Sequence, residues 1–145
     1  MNPSTSDLAE SYISYLQTND ETLQWAAMEI VDLCVLGPWD RLWELVQYVA
    51  AREADPGIKV LASVAAGPLE DLLSNAGPDY IDRVEQLARK NPRASRMLTG
   101  VWKSNIEPAI WDRIVTWCRA VPDPLDGVYG RRRFAARLNS GVRRP

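Results

Sequence analysis

Glycine followed by proline occurs three times in this chain, at Gly37-Pro38, Gly67-Pro68 and Gly77-Pro78, with Asp55-Pro56 and Asn91-Pro92 as related breaks. Glycine adopts the left-handed conformation that closes a helix, and proline suits the first turn of the next one. Each Gly-Pro pair therefore predicts one helix ending and another starting with almost no loop. That punctuation limits the chain to a compact stack of short helices, a fold usually used for binding.

The segments between the breaks support this. Seven or eight of them place apolar residues at helical spacing, and none sustains strand alternation. Leu8, Ala9, Tyr12, Ile13 and Leu16 form the first stripe. The next segment, from Leu23 to Val35, is apolar nearly all round, which predicts a helix at the centre of the fold. From Pro38, Trp39, Leu42, Trp43, Val46, Val49 and Ala50 line one face of a third helix. The last long helix starts near Pro108 and carries Ile110, Trp111, Ile114, Trp117 and Cys118. The expected fold is all-α, in one domain: a helical body over residues 1–126 and a basic C-terminal segment over residues 127–145. A chain of 145 residues can bury roughly 70% of its unfolded surface.

Gly37-Pro38, Asp55-Pro56 and Gly67 are echoed by Gly77-Pro78, Asn91-Pro92 and Gly100, the two units starting 40 residues apart. That interval falls within the range of two-helix HEAT-type repeats. Two HEAT-like hairpins and an irregular bundle fit the punctuation equally well.

The chemistry available is narrow. There is no histidine, the commonest general base and metal ligand. Cys34 and Cys118 both lie on apolar helix faces and read as buried free thiols. Lys59, Lys90 and Lys103 stand in no recognisable motif, and no Gly-rich phosphate loop or Cys-x-x-Cys is present. The chain reads as a non-enzyme, without cofactor or metal. No stretch is long enough to span a membrane, and the N-terminus has no basic start or apolar run, so a cytoplasmic location is expected.

Charge is the feature that bears most on function. Residues 1–88 carry 15 acids and 4 bases, whereas residues 89–145 carry 4 acids and 13 bases. Paired acids at helical spacing, Asp40 with Glu44 and Asp79 with Asp82, mark an acidic face. Arg131, Arg132, Arg133 and Arg137, with Phe134 and Leu138 four residues apart, make a basic tail that reads as one or two helical turns.

The segment Ala65-Ala66-Gly67-Pro68-Leu69-Glu70-Asp71-Leu72-Leu73, with Gly77, Ile81, Val84 and Ala88 and then Leu98-Thr99-Gly100-Val101-Trp102, resembles a family of small bacterial proteins known only as a domain of unknown function. The resemblance covers about residues 36–115 and implies no activity. Physical reasoning supplies a separate account of the motif. Gly67 ends a helix, Pro68 opens the next, and Glu70 and Asp71 occupy a first turn that favours acids.

The reading that follows is a protein-binding module, of the immunity-protein or inhibitor kind, masking a basic partner protein through Asp40, Glu44, Glu70, Asp71, Asp79 and Asp82. Two other readings stand beside it: a nucleic-acid-associated protein using the basic C-terminal half, and a structural protein assembling through its two charged halves.

Overall fold

The computed structural model describes residues 2–125. Within them the chain forms seven α-helices: α1 (Thr5–Thr18), α2 (Gln24–Leu36), α3 (Trp39–Ala51), α4 (Ile58–Val64), α5 (Glu70–Lys90), α6 (Pro92–Leu98) and α7 (Pro108–Ala120). A 3-10 turn, Glu21–Leu23, leads into α2, and a π-helical turn, Ala65–Leu69, joins α4 to α5. No strand occurs among the described residues. The predicted basic segment with Arg131, Arg132, Arg133 and Arg137 lies outside them.

Local chemistry sets several of the ends. The Ser4 side chain caps α1 by accepting the Asp7 N–H at 3.1 Å. Asn19 closes α1 in the left-handed region, at φ 58. Asp20 then caps the 3-10 turn by accepting the N–H and the hydroxyl of Thr22. Gly37 leaves α2 at φ 76, a conformation open to glycine at little cost, and a cis Gly37-Pro38 bond leads into α3. Asn91 caps α6 by accepting the Ala94 N–H at 2.9 Å, while its amide donates to the Ala50 carbonyl at 2.8 Å.

Of the other two Gly-Pro pairs, the first corrects the expectation. Gly67-Pro68 lies inside the π-helical turn, and the Glu70 N–H reaches back to the Ala65 carbonyl. Proline cannot donate to an α-helical ladder, and the wider π turn passes the missing donor without ending the helix. Gly77-Pro78 bears the expectation out: Ala76 leaves helical backbone (φ −138, ψ 28), and α5 is two helical stretches that meet at this kink, the second starting at the Gly-Pro pair. A Cβ on Gly77 would come within 2.8 Å of Ile110 Cδ1, so this glycine serves the approach of α7. Neither glycine is among the described glycines with positive φ, which are Gly37 and Gly57.

One continuous core holds the helices together. Leu8 and Ile13 of α1, Leu42 and Leu45 of α3, Leu61 of α4, Leu72 and Leu73 of α5, Met97 of α6 and Ile114 of α7 are all almost wholly buried in it. Both cysteines are free; Cys118 is buried and Cys34 half-buried.

Polar ties cross between helices. Arg93 of α6 donates to the carbonyls of Val49 (3.0 Å) and Arg52 (2.5 Å), satisfying the open end of α3. Glu10 of α1 accepts from Arg52 Nε at 2.8 Å and from the Tyr48 hydroxyl at 2.6 Å. Arg52 first, and Tyr48 second, hold the Glu10 carboxyl below its ordinary value. A carboxylate lowered in the folded state stabilises above its unfolded pKa, and that stability is lost as pH falls through the folded value. The pair is partly exposed, so about 0.5 kcal/mol is expected. Glu10→Gln should flatten the acid side of a plot of thermal midpoint against pH; an unchanged curve would remove Glu10 from the acid response.

Candidate functional site: the outward face of α2

The six acids singled out in the sequence are spread over α3 and α5, and most of them are engaged within the fold. Asp40 accepts from the Tyr80 hydroxyl and lies 3.9 Å from Arg83. Glu44 accepts from the Thr5 hydroxyl at 2.8 Å. Glu70 accepts the backbone N–H of Trp102 at 2.8 Å. Asp82, with Glu85, holds Arg113 of α7, at 2.7 Å and 2.5 Å. Asp79 is exposed on α5.

Asp71 faces α2 rather than solvent. It packs beside Cys34, and burial raises its carboxyl. The Cys34 thiol is pushed up to about 12, by burial first and by Asp71 second. The pair closes the seam between α2 and α5, so Asp71 is engaged inside the protein. The helix-start account of Glu70 and Asp71 also needs correction. The residue before them, Leu69, is itself helical, so α5 begins with no free N-terminus there.

The least expected feature is α2 itself. It does not lie at the centre. Ala26, Ile30 and Leu33 face the core, and their spacing is enough to seat one side of the helix. The opposite side presents Trp25 (44% exposed), Met28 (61%), Val31 (59%), Val35 (68%) and Leu36 (77%). At about 100° per residue these five fall within an arc of about 140°. Asp32 lies inside the arc, exposed, and Glu29 borders it half-exposed. Five of the six large hydrophobic side chains exposed among the described residues belong to this one face.

The charged side chains of α2 itself, Glu29 and Asp32, are both acidic. Residues 1–40 contain seven acids and no lysine or arginine. The stripe is therefore apolar with Asp32 within it and Glu29 at its edge, although Glu10 and Asp40 are engaged with Arg52 and Arg83. All-round apolarity in α2 was visible in the sequence; which side would stay uncovered was not, because that depends on how many helices pack against it.

The basic groups near Pro92 are partly committed elsewhere. Arg93 is bonded to α3 carbonyls as above, and Arg96 pairs with Asp123 at 3.0 Å. Lys90, Arg93 and Arg96 line an open groove of about 460 Å³ with Asp55 on its rim. Among the described residues, no group of three His, Cys, Asp or Glu is placed to hold a metal ion, and no helix is long and apolar enough to cross a membrane.

The fold and this surface define a small all-α domain with one apolar helix face left open and bordered by acids. Residues 14–121 match a family of unknown function, DUF6869, and the chain belongs to that family. No curated protein and no solved structure matches the chain significantly.

Proposed function

We propose that this is a non-catalytic protein-binding module acting in the cytoplasm, and that the outward face of α2 receives a basic, partly apolar segment of a partner protein. Masking a basic partner in this way is what an immunity protein or inhibitor does. The observation that carries the reading is the five-residue apolar stripe in a region of the chain without a single base. Contiguous exposed apolar patches on small proteins commonly mark interaction sites.

Magnitudes favour a partner that is both apolar and basic. Fully burying one such side chain is worth about 1.5–3 kcal/mol, and most of the surface of these five is still exposed. Covering it contributes roughly 5–9 kcal/mol, comparable to the lower half of the ~4–15 kcal/mol association cost. Opposite charge at the rim supplies attraction and speeds encounter.

The test is the double variant Met28→Glu, Val35→Glu. Both positions are exposed, so its circular dichroism should match that of the wild type. The wild-type protein should retain a stoichiometric basic protein from the lysate of its source cell, more weakly at high salt, and the variant should release it at least about tenfold more readily, the effect of roughly 1.4 kcal/mol. Equal retention by both proteins, or no stoichiometric partner, would remove α2 from the function.

A further inference from the structure

Resting on the reading of α2 as a docking face, we propose that its occupant is an amphipathic helix of the partner, paired along α2 as in a short coiled coil and carrying one lysine or arginine opposite Asp32. The spacing is that of a heptad seam. Trp25, Met28, Asp32 and Val35 follow one another at intervals of three, four and three residues. Residues in that rhythm occupy the a and d positions, where each inserts between four side chains of a facing helix. Trp25 and Asp32 then stand at a, and Met28 and Val35 at d. All four are exposed, and the exposed Val31 and Leu36 flank them. The helix runs 13 residues, about 20 Å, which is close to two heptads.

Backbone chemistry selects a helix over an extended segment. The N–H and C=O groups of α2 are spent on its own ladder, so its face offers no edge for a strand to pair with. An extended segment laid on the stripe would bury backbone donors and acceptors without partners, which is costly. A helix brings them already paired. Asp32 then selects the charge. None of the described ion pairs includes it. Under a facing helix it stands in the middle of the seam, and a covered carboxylate without a partner is strongly unfavourable. A single polar residue at an a position sets register and partner choice. A base at the facing position therefore neutralises Asp32, and helices that are apolar throughout are disfavoured. A second copy of the chain does not meet this need through its own α2, because residues 1–40 contain no lysine or arginine.

The experiment displays on yeast a library of helical peptides of about three heptads, randomised at a and d and fixed as alanine and glutamine elsewhere. The baits are the full-length wild-type protein and Asp32→Lys, whose circular dichroism should agree because the position is exposed. The wild type should enrich apolar residues at a and d with one lysine or arginine at a central a position. Asp32→Lys should enrich aspartate or glutamate there instead. Each matched pair should bind at least about tenfold more tightly than the crossed pairs. No enriched peptide, the same residue at that position from both baits, or undiminished binding to Met28→Glu, Val35→Glu would overturn the proposal. So would a wild-type protein that sizes as a dimer when only the double variant is a monomer, since the face would then belong to a second copy. The two readings fail separately. If the library yields nothing while the double variant still releases a protein partner, the docking face stands and only the helical form of its occupant is lost.

Discussion

Glu70→Ala is expected to destabilise the protein by about 1.5–3 kcal/mol, the range for a hydrogen bond to a charged group. The half-buried Glu70 carboxylate accepts the Trp102 N–H at 2.8 Å and so ties the start of α5 to the segment between α6 and α7, 32 residues further on. Removing it takes away the acceptor of that backbone N–H. Thermal unfolding should show a midpoint lower by several degrees. Glu70→Gln retains an acceptor oxygen and should recover a large part of the loss. The neighbouring acid supplies the contrast. Asp71 has its charged form disfavoured by burial, so Asp71→Asn should cost much less than Glu70→Ala. If both acids only balanced a helix start, the two variants would be equally mild, at about 0.3–1 kcal/mol each; equal and mild effects would sink the present account.

Gly100→Val should be at least as damaging, about 1–3 kcal/mol or more by overpacking. A Cβ at this position would meet Ala65 Cβ at 2.8 Å, Leu125 Cδ1 at 3.3 Å and the Met97 carbonyl at 3.4 Å. The Leu125 side chain can yield, but the Ala65 Cβ moves only with the π-helical backbone that carries it. Chemical denaturation should show a lower midpoint. A wild-type midpoint would mean that the turn and the α6 end separate freely.

The all-α class and most helix ends are legible from local chemistry. Gly37, Asn91 and Pro108 sit where the residues themselves favour a boundary, by a positive φ, a side-chain cap and a first-turn proline. Gly77-Pro78 likewise falls at a kink, just after the non-helical Ala76, whereas Gly67-Pro68 carries the same dipeptide and marks no boundary, because the chain runs through it as a π-helical turn. A dipeptide cannot report that a π turn will absorb the missing donor, or that Ile110 needs the space above Gly77. The tie from Glu70 to Trp102 has no local signature either. Its acid was noticed for the wrong reason, as a helix-start charge. At the candidate site the apolar residues of α2 were plain, but their number predicted burial on every side. The six other described helices leave Met28, Val35 and Leu36 exposed. The acids named in the sequence are mostly consumed in holding α1, α3, α5 and α7 together.

The face of α2 also carries its own optical reporter. Trp25 is the one described tryptophan that is classed as exposed, whereas Trp43 and Trp111 are buried and Trp39, Trp102 and Trp117 are half-buried. Its indole stands among acids, which concentrate small cations and thin out small anions within about 10 Å at ordinary ionic strength. Caesium should therefore quench the long-wavelength edge of the emission more efficiently than iodide, and anything laid over α2 should erase that preference and shift the spectrum to the blue. Occupancy of the stripe can be followed in the unlabelled protein, by light alone.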